Sequence, residues 1–154
     1  MSDATDIFKT AQERARKAAL DYAGAVTPQE AYALLQSHPS AKLVDVRTNA
    51  ERDWVGRVAI PKEKHAAIQW NLYPGGAQNS DFLSELGQVA DKDDVLLFLC
   101  RSGARSHHAA KLATEHGYGK CFNILEGFEG DKDAEGHRKT VSGWCKAGLP
   151  WIGA

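Results

Sequence analysis

Apolar positions recur along this chain in two rhythms, and their alternation predicts helices and strands in turn. Between residues 5 and 22, Ile7, Phe8, Ala11, Ala15, Ala18, Ala19 and Tyr22 fall at three- and four-residue spacing. That spacing predicts an amphipathic helix, which Gly24 stops. Thr27-Pro28-Gln29-Glu30 supplies a capping residue, a first-turn proline and a glutamate at the third helical position, so a second helix starts there. It runs to about Ser37, before His38-Pro39. Residues 42–46 read as a short buried strand with the polar end Asp45-Val46-Arg47, and residues 49–54 as one or two helical turns. A second strand over 66–70 leaves through the turn Tyr73-Pro74-Gly75-Gly76. Phe82, Leu83, Leu86 and Val89 mark a helix over 81–89. The run Val95-Leu96-Leu97-Phe98-Leu99 is a third strand, a helix follows over 107–116 up to Gly117, and residues 121–125 form the last strand. Residues 127–140 read as a polar surface loop, and a short terminal helix begins at Trp144.

Apolar strands alternating with helices imply an α/β fold: a central parallel sheet of about five strands, flanked by helices on both faces. Residues 1–24 are expected to form a helical extension and residues 25–154 the domain itself. In such sheets ligands bind beyond the C-terminal ends of the strands. Cys100, Asp45 and Arg47 all stand at such ends, so the topology is expected to bring them together.

Composition narrows the function. A chain of 154 residues suits one domain with a real core. Its net charge of −1 provides no field for nucleic acid or an anionic membrane, and its basic residues form no patch interleaved with aromatics. No apolar run approaches the ~20 residues of a membrane span. The acidic start Met1-Ser2-Asp3-Ala4-Thr5-Asp6 does not resemble a secretory leader. Three cysteines, Cys100, Cys121 and Cys145, are too few and too widely spaced for a disulfide framework or zinc site, and suit a reducing cytoplasm. His107-His108, adjacent on a helix, point apart and read as a solvated helix start.

Cys100 carries the chemical signal. It stands at the lip of the Val95–Leu99 strand, followed by Arg101-Ser102-Gly103-Ala104-Arg105-Ser106 and a helix. Successive backbone N–H groups in such a loop, together with a helix N-terminus, bind anions and favour a thiolate. A buried, inert cysteine is the ordinary alternative, but it has no use for two flanking guanidinium groups or a glycine that admits close backbone approach.

These residues resemble the single-domain rhodanese family of sulfurtransferases. Leu43-Val44-Asp45-Val46-Arg47 with Glu51 is similar to that family's first signature, Cys100 through Arg105 to its active-site loop, and Asn123-Ile124-Leu125-Glu126-Gly127-Phe128 with Trp144 and Ala147-Gly148-Leu149-Pro150 to its C-terminal signature. The stretch Gly56-Arg57-Val58-Ala59-Ile60-Pro61 and the longer loop over 130–140 depart from the family pattern. The resemblance implies that Cys100 accepts a sulfur atom and becomes a persulfide, cradled by the backbone of Arg101, Ser102, Gly103, Ala104, Arg105 and Ser106. Arg105 and Arg101 would attract a small anionic donor such as thiosulfate, and Asp45 and Arg47 would brace the loop unless they form a mere surface ion pair. The acceptor would be cyanide or a thiol, that of a partner protein included, with no metal or organic cofactor. Two other readings stay open. A cysteine phosphatase of the same fold would resemble a loop one residue longer, with histidine in place of Leu99. A persulfide carrier or sensor would load without turning over.

Overall fold

The computed structural model describes residues 4–72 and 75–153. Helix α1 (Ala4–Ala18) leads into strand β1 (Gly24–Val26), helix α2 (Pro28–Ser37), strand β2 (Ala41–Asp45) and helix α3 (Asn49–Val55). A two-residue strand β3 (Arg57–Val58), strand β4 (His65–Ala67), helix α4 (Phe82–Val89) and strand β5 (Val95–Leu99) follow. Helix α5 (Ala104–Glu115), strand β6 (Cys121–Ile124) and strand β7 (Trp151–Ile152) complete the order. Five strands form one parallel sheet, β1-β6-β5-β2-β4.

The sheet is buried from both sides, which explains its unbroken apolar runs. Leu97 and Leu99 of β5 join one half of the core with Ile7 and Ala11 of α1 and Leu34 and Leu35 of α2. Leu96 and Phe98 join the other half with Phe82 and Leu86 of α4 and Ala109, Ala110 and Ala113 of α5. Both α2 and α3 begin with reciprocal caps. The Thr27 side chain accepts from the Glu30 N–H while the Glu30 carboxylate accepts from the Thr27 N–H, and Thr48 and Glu51 do the same. Each box satisfies N–H groups that a helix start leaves orphaned.

Four expectations are corrected. The first helix ends at Ala18, before Tyr22, because Ala19 adopts a φ of 52° and the chain then turns into β1. That strand is three buried residues long, too short for a periodic signal. Gly24 does not stop the helix but starts the strand: a Cβ there would lie 2.6 Å from the Ala11 carbonyl oxygen, so glycine lets β1 close on α1. The expected terminal helix at Trp144 is a run of turns that delivers β7 to β3, with which it pairs antiparallel; β6 is therefore not the last strand. Helix α5 begins at Ala104 rather than near His107, so the loop after Cys100 runs directly into a helix N-terminus. The turn expected at Tyr73-Pro74 lies outside the described residues.

Candidate active site

The C-terminal end of β5 delivers Cys100 beneath the first turn of α5. Gly103 caps that helix with a φ of 115°, a left-handed conformation that glycine adopts without a Cβ penalty. This turn aims the Gly103 N–H at Cys100 Sγ, which accepts it at 3.0 Å. Ser106 Oγ lies 3.2 Å from the same sulfur. Cys100 is 1% exposed, so the loop covers the sulfur. The N-terminus of a twelve-residue helix adds its partial positive charge.

Asn123 and the segment after it hold the loop in this shape. Asn123 Nδ2 donates to the Gly103 carbonyl at 3.2 Å, which orients the amide so that its Oδ1 accepts from the Ser106 hydroxyl at 2.5 Å. The N–H of Phe128 donates to the Cys100 carbonyl at 2.9 Å, and those of Glu129 and Gly130 to the Arg101 carbonyl at 3.1 and 3.2 Å. Those bonds fix both carbonyls on the side of the loop away from the Gly103 N–H that meets the sulfur. Gly127 makes the clamp close: its φ is 64°, and a Cβ would stand 2.5 Å from the Arg101 carbonyl carbon. Gly127→Ala is therefore expected to displace the loop, with a cost of about 1–3 kcal/mol in stability and a larger fractional loss of turnover. Urea unfolding beside steady-state kinetics checks this; full activity in the variant contradicts the clamp.

Each arginine of the loop is held by a carboxylate. Arg105 makes a two-pronged pair with Glu51, Nη1 to Oε1 at 2.6 Å and Nη2 to Oε2 at 2.8 Å. Arg101 Nε donates to Glu129 at 2.7 Å. Both guanidinium groups are therefore already paired, and the donor recorded on the Cys100 sulfur is the Gly103 main-chain N–H. The side chain of Ser102 makes no described hydrogen bond, and Ala104 is the exposed first residue of α5.

Asp45 and Arg47 form a fully buried pair, 0% exposed on both sides, which corrects the surface-pair alternative. Arg47 Nε and Nη2 donate to the Asp45 carboxylate at 3.0 and 2.8 Å, and Nη2 also donates to the Gly56 carbonyl at 2.9 Å. The guanidinium carbon lies 4.3 Å from the centre of the Phe128 ring. Since Phe128 holds the Cys100 carbonyl, the pair supports the loop through that ring. His107, expected to be solvated, is half-buried, and its Nδ1 lies 2.6 Å from the Tyr22 hydroxyl.

Ionisation separates the groups further. Burial raises the carboxyl of Glu51, but its bonds from Arg105 and the Thr48 N–H and the charge of Arg105 outweigh this and hold it at about 2. A folded value below the unfolded ~4.3 means that the pair stabilises fully above about pH 5 and loses that stabilisation as the pH falls toward 2. The stability gap between wild type and Glu51→Gln is expected to shrink across that window in urea titrations. A gap that stays constant down to about pH 3 contradicts the pairing. Burial pushes the thiols of Cys121 and Cys145 up to about 11, so both stay protonated at neutral pH.

A parallel α/β sheet with a cysteine at a strand end, under a loop that opens a helix, is the architecture that comparisons with known proteins place in a family. The family described as the STR4 middle domain matches residues 23–154. The thiosulfate sulfurtransferase GlpE of Haemophilus influenzae is 30% identical over 125 residues, covering 81% of this chain and 90% of its own. An uncharacterized protein of Rickettsia conorii is 40% identical over 125 residues, covering 79% of this chain and 91% of its own. The crystal structure of Rv0390 from M. tuberculosis superposes with a TM-score of 0.78 at 42% identity, covering 85% of this chain and 98% of that one. The chain belongs to the rhodanese family.

Asn123, Gly127 and Phe128 stand in the C-terminal signature and Glu129 just beyond it, and the sequence gives none of them a role at the site. Asn123 carried a detectable signal, a lone amide inside the apolar strand Cys121–Ile124.

Proposed function

We propose that this chain is a sulfurtransferase that moves a sulfane sulfur from an anionic donor, thiosulfate in the first instance, through a persulfide on Cys100 to cyanide or a thiol. The observation that carries the reading is the Gly103 N–H on Cys100 Sγ at 3.0 Å, at the mouth of a helix N-terminus clamped from behind by Gly127 and Phe128. In the first half-reaction the Cys100 thiolate attacks the outer sulfur of thiosulfate. A sulfur–sulfur bond forms to Cys100, the donor's own sulfur–sulfur bond breaks, and sulfite leaves with the electron pair. In the second, cyanide attacks the outer sulfur of the persulfide, thiocyanate leaves, and the Cys100 thiolate returns. Negative charge stays on sulfur at this place through both steps, where fixed N–H dipoles stabilise it without reorganising.

Arg101, Ser102, Ala104, Arg105 and Ser106 shape and polarise the cradle, while Asp45 and Arg47 position it from below. All three cysteines are free, which fits action in a reducing cytoplasm. Among the described residues no helix is long and apolar enough to cross a membrane.

A donor screen with thiosulfate, mercaptopyruvate and an aryl phosphate tests the reading. Thiosulfate is expected to give thiocyanate with parallel double-reciprocal lines, the pattern of a two-step covalent cycle. A single turnover that then stalls identifies a carrier, and phosphate release from the aryl ester identifies a phosphatase; either result overturns the proposal.

A further inference from the structure

Ser106 stands between the reacting sulfur and a buried amide, with a single proton to give. Its Oγ lies 3.2 Å from Cys100 Sγ and 2.5 Å from Asn123 Oδ1. The far end of the amide decides which atom takes the proton. Asn123 Nδ2 lies 3.2 Å from the Gly103 carbonyl oxygen. That oxygen also accepts from the His107 N–H at 3.2 Å, and a carbonyl can only accept. The amide nitrogen therefore faces Gly103, the amide oxygen faces Ser106, and the Ser106 hydroxyl donates to it. In that setting Ser106 turns a lone pair toward the sulfur.

A lone pair there suits a protonated sulfur, whose S–H donates to Ser106 Oγ, and opposes an ionised one, which only accepts. Rotation about the Cβ–Oγ bond carries the hydroxyl proton from Asn123 to Sγ and moves no heavy atom. The rotation has a cost, because Asn123 is 5% exposed and its Oδ1 then loses its donor. The charged groups on the neighbouring elements stand in pairs: Arg101 with Glu129, and Arg47 and Arg52 with Asp45. The charge of Arg105, which bears on Cys100, is matched by Glu51. The hydroxyl is thus the one group at the sulfur that can change what it offers.

We infer that Ser106 is a two-position donor to the reacting sulfur and that Asn123 is the positioning residue that sets its rest position. The hydroxyl points to Asn123 while Cys100 Sγ is neutral and to Sγ whenever that atom carries negative charge. The inference rests on the sulfur-transfer reading of Cys100 and adds to it the group that meets the leaving electrons. In the persulfide the charge lies on the outer sulfur, Sγ is neutral, and the hydroxyl stays with Asn123. When cyanide or a thiolate attacks the outer sulfur, the bond from that atom to Sγ breaks and its electron pair returns to Sγ. The Ser106 hydroxyl turns to meet the charge. In the first half-reaction the thiolate spends its electron pair on the new sulfur–sulfur bond, and the hydroxyl returns to Asn123.

The test follows the Cβ signal of Cys100 by NMR through a pH titration of full-length protein with labelled cysteine and no donor present. Ser106→Ala is expected to raise the midpoint by about one pH unit, the worth of one hydrogen bond to a charged sulfur. Asn123→Leu, of similar size but without the competing oxygen, is expected to lower it. Ser106→Thr keeps the hydroxyl and should keep the wild-type midpoint. In the Ser106→Ala background, Asn123→Leu should shift nothing further, because its effect passes through the hydroxyl. A role for Asn123 only in holding Gly103 predicts the opposite sign, a raised midpoint in Asn123→Leu. Shifts of the same sign from the two residues, an Asn123→Leu shift that persists without the hydroxyl, or an unmoved midpoint in Ser106→Ala overturns the inference. On thiosulfate-loaded protein, Ser106→Ala should also slow desulfuration by cyanide by up to about tenfold and Ser106→Thr should not. If thiosulfate loads no sulfur in wild type, that failure belongs to the sulfur-transfer reading, and the midpoints decide the donor switch separately.

Discussion

Cys100→Ala is expected to lower thiosulfate-dependent thiocyanate formation by at least about 10³-fold, to the buffer background. The size of the loss follows from the covalent route: without the sulfur there is no intermediate, and no other group at the loop takes its place. Cys121 and Cys145 cannot substitute, because burial pushes both thiols up to about 11 and leaves them protonated at neutral pH. Neither is described with a main-chain N–H on its sulfur. Cys121→Ala and Cys145→Ala should therefore turn over like wild type once differences in folded fraction are corrected. Residual turnover of more than a few per cent in Cys100→Ala, after the protein is shown to be folded by circular dichroism, contradicts the covalent assignment.

Asp45→Ala is expected to cost about 3–5 kcal/mol of stability, because it strands the Arg47 guanidinium in a site with no exposure. For a domain of this size that corresponds to a fall of roughly 10 °C or more in Tm. Two further features deepen the loss. Arg52 Nη1 donates to the Arg47 carbonyl at 2.8 Å, so a second cation lies beside the first. Phe128, which stacks on Arg47 and holds the Cys100 carbonyl, loses its support as well. Replacing both partners, Asp45→Leu with Arg47→Met, should recover most of the stability, since an apolar pair of similar volume removes the stranded charge. Recovery of stability without recovery of turnover would identify the pair as a positioning device for the loop. A single-variant cost below about 1 kcal/mol, the range of a surface pair, contradicts the buried arrangement.

Much of this architecture was legible in the residues because the relevant physics is local. Strand β5 is five apolar residues in a row, and helix α2 announces itself by Thr27-Pro28-Gln29-Glu30. Where the signal failed, the structure depends on distant partners. Strand β1 is too short to show a period and exists because β6 lies beside it and α1 above it. Strands β3 and β7 are two residues each and stabilise one another across most of the chain's length, so neither can be read alone. The pairing of Arg105 with Glu51 spans more than fifty positions, and the capping box of Thr48 with Glu51 that places the carboxylate emerges only in the structure. The clamp on the loop left no trace either. Gly127 reads as one more loop glycine until its φ and its contact with Arg101 are seen together.

Intact-mass spectrometry after brief treatment with thiosulfate tests the sulfur cradle most directly. Wild type, Cys121→Ala and Cys145→Ala should each gain the mass of one sulfur atom, lose it on addition of cyanide, and yield a modified peptide containing Cys100, while Cys100→Ala gains nothing. A sulfur retained by Cys100→Ala, or mapped in wild type to either other cysteine, would contradict the account.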